Sequence, residues 1–547
     1  MLTFNSLDQN HRFLILETIA QFNDALRFLE DNNTGVRDRM RMRNELIRNM
    51  KNTMENDCFQ QLFSHPALPA GVIQRIRAQH RIALACRRIA NHCVNMCEQA
   101  LHLGDRSILE RFSWREMAST ASESLGRIPS NLALITEDNA VAICRDEATL
   151  DRQYDAAIEA VAQAAKQAPG DFRDLMVVVL IARYLEAIGD ELLRIGEALL
   201  STLVGDRIQF HEYESLRHGL ERIGGGSFTG DMSYKAFWGS RSGCVIGRVT
   251  SHDRRSIFKE GPVEKVRREK ENMLEWSKAV PGLVPEVYVY SEENGLGSLL
   301  MEEISGTPMD EILLHASQEQ MDKASRALLR TARDSWDRTL QPERLQSGYM
   351  PQVLARLDKI RQVHPDLGLP EGRHGQALRR IARAGELERS LHAPFSVFIH
   401  GDFNLNNIFH DRQRNAVRYV DLYRSGRGDY IQDVSVHLVS YFRIPVFDHG
   451  TRGRILENIL RVQDLAMEFA NRRQDTTMEA RLTLALARSL ITSTRFELRR
   501  ELATVMFRKA YTMLDSVLEH EGKDWETFTT PIILLDLGAK VTEQLAQ

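Results

Sequence analysis

Asp402, Asn407 and Asp421 have the types and spacing that phosphoryl transfer to a hydroxyl would need. Such a transfer asks few covalent parts of a protein. A carboxylate must orient the acceptor hydroxyl and take its proton, and oxygen ligands must hold magnesium against a triphosphate. Asp402 and Asn407 stand five residues apart, the separation of the base and the metal-binding asparagine in a kinase catalytic loop. Asp421 follows one hairpin later, where a second metal-binding carboxylate belongs. The flanking stretches predict the scaffold. Val397-Phe398-Ile399 reads as a short buried strand and Ile408-Phe409 starts a second; Asp411 to Asn415 turns the chain, and Val417 to Val420 returns as a third. The polar residues thus fall where apolar strands end, the place where a rigid scaffold displays catalytic side chains.

His400-Gly401-Asp402 with Asn407, followed by Asp421 and Gly428-Asp429, resembles the aminoglycoside phosphotransferase and choline kinase branch of the kinase-like fold. That branch reads His-Gly-Asp where protein kinases read His-Arg-Asp. The resemblance covers roughly residues 215 to 547. It implies an ATP- and Mg2+-dependent phosphotransferase in which Asp402 is catalytic, Asn407 and Asp421 hold the metal, and the acceptor is a hydroxyl on a small molecule. Asp433 resembles the buried aspartate that braces the family's catalytic loop. Asp429 and Asp433 are therefore read as structural, and His400 as packing under Asp402. Tyr430 stands where the family often has proline. Gly401 removes the arginine that many protein kinases use to receive an activation-loop phosphate, and no long Ser/Thr loop follows Asp421. Both features disfavour a protein kinase.

Upstream, Gly224-Gly225-Gly226-Ser227 precedes strand-like stretches at Tyr234 to Trp238, Gly243 to Val249 and Ser256 to Lys259. Glycines let backbone N–H groups approach phosphate oxygens, so this is the expected nucleotide loop. Lys259 is the candidate for the lysine on the α- and β-phosphates, with Lys235 as its rival. A helix from Val263 to Ala279 should carry the glutamate that pairs with this lysine; Glu269 and Glu271 qualify, and Glu271 is favoured. Val287 to Tyr290 and Ser298 to Glu302 read as a hairpin. Glu302-Glu303-Ile304 should be the hinge whose backbone meets adenine. Long amphipathic patterns dominate residues 311 to 547, among them an Arg-rich helix from Arg495 to Arg508.

Residues 1 to 206 have almost no strand signal. Amphipathic segments predict helices near 7–30, 34–56, 70–103, 107–127, 134–166 and 171–204, with Ser130 or Asn131, and Asp171, as N-caps. A segment around Ile89 matches one around Ile188 at a constant offset of 99 residues, which suggests two stacked three-helix bundles. The second copy, Ala182-Arg183-Tyr184-Leu185-Glu186-Ala187-Ile188-Gly189-Asp190, resembles the PhoU family, tandem three-helix bundles associated with phosphate uptake and its signalling. Glu186 and Asp190 share a helix face and form a candidate second metal site. The first copy has Arg87 and Asn91 at those positions. Cys86, Cys93 and Cys97 fall on one helical stripe and read as small buried residues rather than a thiolate site.

A chain of 547 residues needs more than one domain, and 43% hydrophobic residues suffice for separate cores. The expected division is an all-α PhoU-like region at 1–206, then an α+β bilobal kinase-like region with an N-lobe at 207–306 and a C-lobe at 307–547. A formal net charge of −4 gives no sign of a nucleic-acid partner. Sparse cysteines and the lack of a long apolar run point to a cytoplasmic protein with no membrane span. The functional expectation is a phosphotransferase carrying a regulatory or protein-docking PhoU-like region tied to phosphate regulation. The alternative is a non-catalytic nucleotide-binding adaptor.

Overall fold

The computed structural model describes residues 2–64, 67–129, 132–167, 172–222, 232–237, 243–251, 254–370 and 374–537. The chain forms two compact units, Met1–Glu260 and Gly261–Gln547.

The first unit opens with six helices: α1 (Leu2–Asp31), α2 (Thr34–Ser64), α3 (Ala70–Ala100), α4 (Trp114–Arg127), α5 (Glu137–Gln167) and α6 (Phe172–Val204). Helices α1 to α3 pack on one another, as do α4 to α6, and α3 lies along α6. This is the expected pair of three-helix bundles. Apolar residues at helical spacing build the cores. On α3 these are Ile82, Cys86, Ile89, Cys93 and Met96, each fully buried, and Ile188 of α6 is buried like its counterpart Ile89. All six cysteines are buried and free. Burial pushes the Cys86 and Cys97 thiols up to about 12, so these side chains act as core residues rather than thiolate ligands. Helices α5 and α6 approach closely at Gly196, where a Cβ would meet Cys144 Sγ at 2.3 Å. The caps expected at Ser130, Asn131 and Asp171 lie outside the described residues.

A short helix, α7 (Phe210–Arg222), follows, and then three antiparallel strands in the order β1 (Met232–Ala236), β2 (Val245–Ser251) and β3 (Arg254–Pro262). The compact unit does not end near residue 206. Asp206 explains why: its side chain accepts from Gln74 Nε2 of α3 at 3.2 Å and from the Ala236 N–H of β1 at 3.1 Å, tying strand to bundle.

The second unit begins with α8 (Val263–Ala279), the predicted helix to the residue, and the antiparallel hairpin β4 (Val287–Glu293) and β5 (Leu296–Glu302). The short strand β6 (Thr307–Pro308) leads into α9 (Met309–His315) and α10 (Gln318–Thr339). Next come β7 (Leu345–Gln346), α11 (Tyr349–Leu354), α12 (Leu357–Val363), α13 (His374–Glu388) and β8 (His392–Ala393). The predicted loop scaffold follows as β9 (Val397–Ile399), β10 (Ile408–Asp411), β11 (Ala416–Tyr419) and β12 (Gly426–Gly428). Strand β12 pairs with β9, and β10 lies between β11 and β6. Helices α14 (Tyr430–Phe442), α15 (His449–Asn471), α16 (Met478–Ser493) and α17 (Arg500–Glu519) complete the unit. Their core centres on an aromatic cluster of Trp336, Phe395, Tyr430 and Phe469, with ring centroids 5.1–5.8 Å apart.

The helix predicted from Arg495 to Arg508 starts only at Arg500. His364 Nε2 lies 3.1 Å from the Thr494 carbonyl oxygen and 2.8 Å from that of Glu497. These contacts stabilise a turn between α16 and α17, and Arg495 sits in that turn rather than on a helix face.

Candidate active site

The loop after β9 is built on Asp433. This aspartate lies in the first turn of α14 and accepts the N–H groups of His400 at 2.7 Å and Gly401 at 2.8 Å. Asp429 caps α14 by accepting the Ile431 N–H at 3.2 Å. It also receives Ser347 Oγ at 2.7 Å and Tyr349 Oη at 3.0 Å, and pairs with the fully buried Arg481, which also pairs with Asp475. Burial pushes the Asp433 carboxyl up to about 7, with the two N–H donors pulling the other way.

Gly401 has φ +79°, and a Cβ there would meet the Arg424 carbonyl oxygen at 2.2 Å. Only glycine fits both the conformation and the space. His400 is fully buried. Its Nε2 lies 3.0 Å from the Val420 carbonyl oxygen, and its Nδ1 accepts the Asp402 N–H at 3.3 Å. That pattern needs the neutral ring, and burial lowers its pKa to about 4. Ser425 Oγ donates to the His400 carbonyl at 3.0 Å and accepts Trp276 Nε1 at 3.1 Å. The loop is thus fastened to α14, to the segment after β11 and to α8.

This bracing fixes Asp402. Its Oδ1 accepts Asn404 Nδ2 at 2.7 Å and its Oδ2 accepts Arg424 Nη1 at 3.2 Å. Burial raises its pKa, opposed by Arg424 and reinforced by Asp421. Asn407 Nδ2 donates to the Asp402 carbonyl at 2.9 Å, which leaves Oδ1 as the amide's acceptor atom. The Val420 N–H donates to the Asn407 carbonyl at 3.0 Å, joining this loop to the one that carries Asp421. Asp421 has φ +60°, a left-handed conformation that aspartate tolerates better than most residues. Asn272 Nδ2 of α8 holds the next carbonyl, that of Leu422, at 2.7 Å.

The other sequence candidates divide. Lys259 on β3 is buried and Lys235 on β1 is exposed. On α8 the inward position belongs to Glu269, which is 1% exposed, whereas the favoured Glu271 faces solvent. The helical period explains the swap: Val266, Glu269, Met273 and Trp276 form one buried stripe, and Glu271 falls outside it. Gly224, Gly225, Gly226 and Ser227 lie outside the described residues. Glu302 ends β5, accepts Arg418 Nη2 at 2.6 Å, and donates its own N–H to the Glu286 carbonyl at 2.9 Å. Glu303 and Ile304 follow it half-buried.

In the helical region Glu186 pairs with Arg183 of its own helix. Asp190 is half-buried and, with burial and Asp151, helps push Glu147 of α5 up to about 7. Among the described residues no three His, Cys, Asp or Glu side chains come together as metal ligands would. In the first copy Arg87 Nη1 donates to the Asn44 carbonyl at 3.0 Å, so the two copies differ in chemistry as their sequences imply.

Sequence reasoning missed the basic residues near Asp402. Arg424 contacts it directly, and Arg488 and Arg495 come within its electrostatic reach from a segment far along the chain. The seven-residue spacing of Arg488 and Arg495 was the available signal.

Two family models match the chain: the phosphotransferase enzyme family over residues 239–469, and the PhoU domain over residues 14–100 and 114–199. A phosphate-specific transport system accessory protein PhoU homolog from Pseudomonas putida is 22% identical over 204 residues, 35% of this chain and 74% of that protein. Among solved structures, PhoU from Pseudomonas aeruginosa is 18% identical with a TM-score of 0.34, covering 37% of this chain and 98% of that one. Aminoglycoside phosphotransferase APH(3'')-Id from Streptomyces rimosus is 20% identical with a TM-score of 0.34, covering 51% of this chain and 98% of that one. No described helix is long and apolar enough to cross a membrane. The chain joins an all-helical region that matches the PhoU domain to an α+β region that matches the phosphotransferase enzyme family.

Proposed function

We propose that the chain transfers the γ-phosphoryl group of ATP to a hydroxyl of a small molecule, and that the PhoU-like region serves as its regulatory or protein-docking module. The carrying observation is the way Asp402 is held: a half-buried carboxylate on a loop fastened by Asp433 and His400, with Asn407 bonded to its backbone. Asp402 orients the acceptor hydroxyl and takes its proton as the hydroxyl oxygen attacks the γ-phosphorus. The bond from that phosphorus to the β-phosphate oxygen breaks, and ADP leaves. Burial raises the Asp402 pKa and so strengthens it as a proton acceptor, while Arg424 pulls it the other way.

The donors present suit magnesium. Asn407 Oδ1 and the Asp421 carboxylate are hard oxygen ligands on adjoining loops, and magnesium takes its remaining ligands from water and phosphate. When bound it would neutralise charge on the phosphates. The sequence resemblance makes Lys259 the candidate for contacting those phosphates, and the segment Glu302 to Ile304 the candidate for meeting the adenine.

The test is Asp402→Asn, which keeps the side chain's shape and removes its charge and basicity. Turnover of labelled ATP against a metabolite pool should fall by ~10²–10⁴, with Mg-ATP affinity within a few-fold of the parent. Undiminished turnover on the acceptor would sink the base assignment.

A further inference from the structure

Four arginines gather around Asp402 and its neighbours. Arg424 donates to Asp402 Oδ2 at 3.2 Å and lies over the Tyr423 ring at 5.0 Å. Arg356, just before α12, comes within electrostatic reach of Arg424 and Tyr423. Arg495, in the turn after α16, is within reach of Arg356, Arg424 and Asp402, and lies over the Phe496 ring at 4.5 Å. Arg488 of α16 is 8% exposed and within reach of Asp402 and Asp433. Its Nη2 donates to Ser435 Oγ at 3.3 Å, and its Nε has no hydrogen-bond partner.

These charges are poorly answered. Among the described residues, none of Arg356, Arg488 and Arg495 has a carboxylate within ion-pair distance, and Asp402 is paired only with Arg424. Asp433 is already committed to two backbone N–H groups. Burial, and after it repulsion from neighbouring arginines, lowers the pKa of both Arg356 and Arg495. Clustering like charges in a half-buried site is unfavourable unless an anion completes it. Guanidinium groups are suited to the task, because their planar N–H forks match phosphate and carboxylate oxygens.

We infer that the acceptor hydroxyl belongs to an anionic molecule, a phosphate ester or a carboxylate, whose charged group is held by Arg356, Arg424 and Arg495. Arg488 adds to the positive field at Asp402. The inference rests on the phosphotransferase reading, since it names the substrate class of that same site.

A matched series of three-carbon alcohols tests it: glycerol 3-phosphate, glycerate, glycerol and 3-aminopropane-1,2-diol. Each is titrated by calorimetry into the full chain, with and without Mg2+ and a non-hydrolysable ATP analogue. The two anions should bind at least about tenfold more tightly than glycerol, and the amine most weakly, as expected for charge-assisted hydrogen bonds. Glycerol 3-phosphate above glycerate marks a phosphate ester, and the reverse order marks a carboxylate. Arg356→Gln with Arg495→Gln should erase the preference and leave the affinity for the ATP analogue within a few-fold; Arg495→Lys should restore part of it. Arg495→Gln alone, at a half-buried turn position, serves if the double variant does not fold. Glycerol or the amine binding as well as the anions, or no anion preference in the parent chain, overturns the inference. So does a loss of nucleotide affinity as large as the loss of anion affinity, which would assign the arginines to ATP. Failure of the parent chain to bind the ATP analogue, with anion preference intact, counts instead against the phosphotransferase reading.

Discussion

In the helical region, Glu191 of α6 is answered by Arg194 of the same helix and by Arg88 of α3 at 3.4 Å, and Glu186 by Arg183. Around the loop after β9, Asp433 is answered by two backbone N–H groups. The difference is one of rigidity. A long arginine can meet its partner from many rotamers, so the helical pairs constrain the backbone little. A backbone N–H has one direction, so Asp433 fixes the conformation of the residues that donate to it. That fixes Asp402 next door. Among the described residues, Arg356, Arg488 and Arg495 then have no carboxylate within ion-pair distance.

Gly401→Ala should break the rigid side most severely. A methyl group would strike the Arg424 carbonyl at a residue with positive φ, and relief requires the backbone of either loop to move. A loss of about 2–4 kcal/mol is expected, with turnover lost alongside. Urea unfolding together with an activity assay measures both, and an unchanged melting curve with full activity would remove the close-fit argument.

The next effect is read through pH. His437 is buried, with Nδ1 3.1 Å from the Phe403 carbonyl oxygen, and burial lowers its pKa to about 4. A group whose folded pKa is depressed below about 6.5 is neutral in the fold and favours folding at pH 7. That contribution is lost as pH falls from about 6.5 toward 4, because the unfolded chain takes up the proton first. Asp433, raised to about 7, acts in the opposite direction over the same range, so the whole-protein curve mixes the two. His437→Gln isolates one of them. The stability gap between parent and variant should shrink by about 2 kcal/mol between pH 7 and pH 5. A gap independent of pH would mean that the ring is not held neutral.

The smallest effect belongs to the helical region. Glu186→Gln removes the charge that pairs with Arg183, a half-exposed partner, and should change stability by less than about 1 kcal/mol. A cost comparable to that of Gly401→Ala would sharpen the comparison in the other direction. It would mean that Glu186 carries a structural or metal-binding load that the pair with Arg183 does not account for.

The helices, the repeat and the short strands that flank the candidate loop were readable in the sequence. The helices are legible because their burial follows a local period, as in the stripe of Ile82, Cys86, Ile89 and Cys93. Of those strands, β10 and β11 are legible because a short hairpin joins them, and a hairpin's geometry is local. What tertiary structure decided are the questions that local pattern leaves open. Glu269 rather than Glu271 faces inward because of how α8 is rotated on its neighbours, and two residues of offset are nearly opposite on a helix. The break at Arg495 comes from His364, more than a hundred residues upstream, binding the carbonyls of the turn. The first compact unit extends to Glu260 because Asp206 bonds both a helix and a strand, a link that composition does not show. Arg424 and the segment of Arg488 and Arg495 meet at Asp402 from far apart in the chain, and only packing brings them together. Chemistry carried by neighbours in sequence was readable; chemistry assembled by packing distant segments was not, because side-chain position there depends on the whole fold.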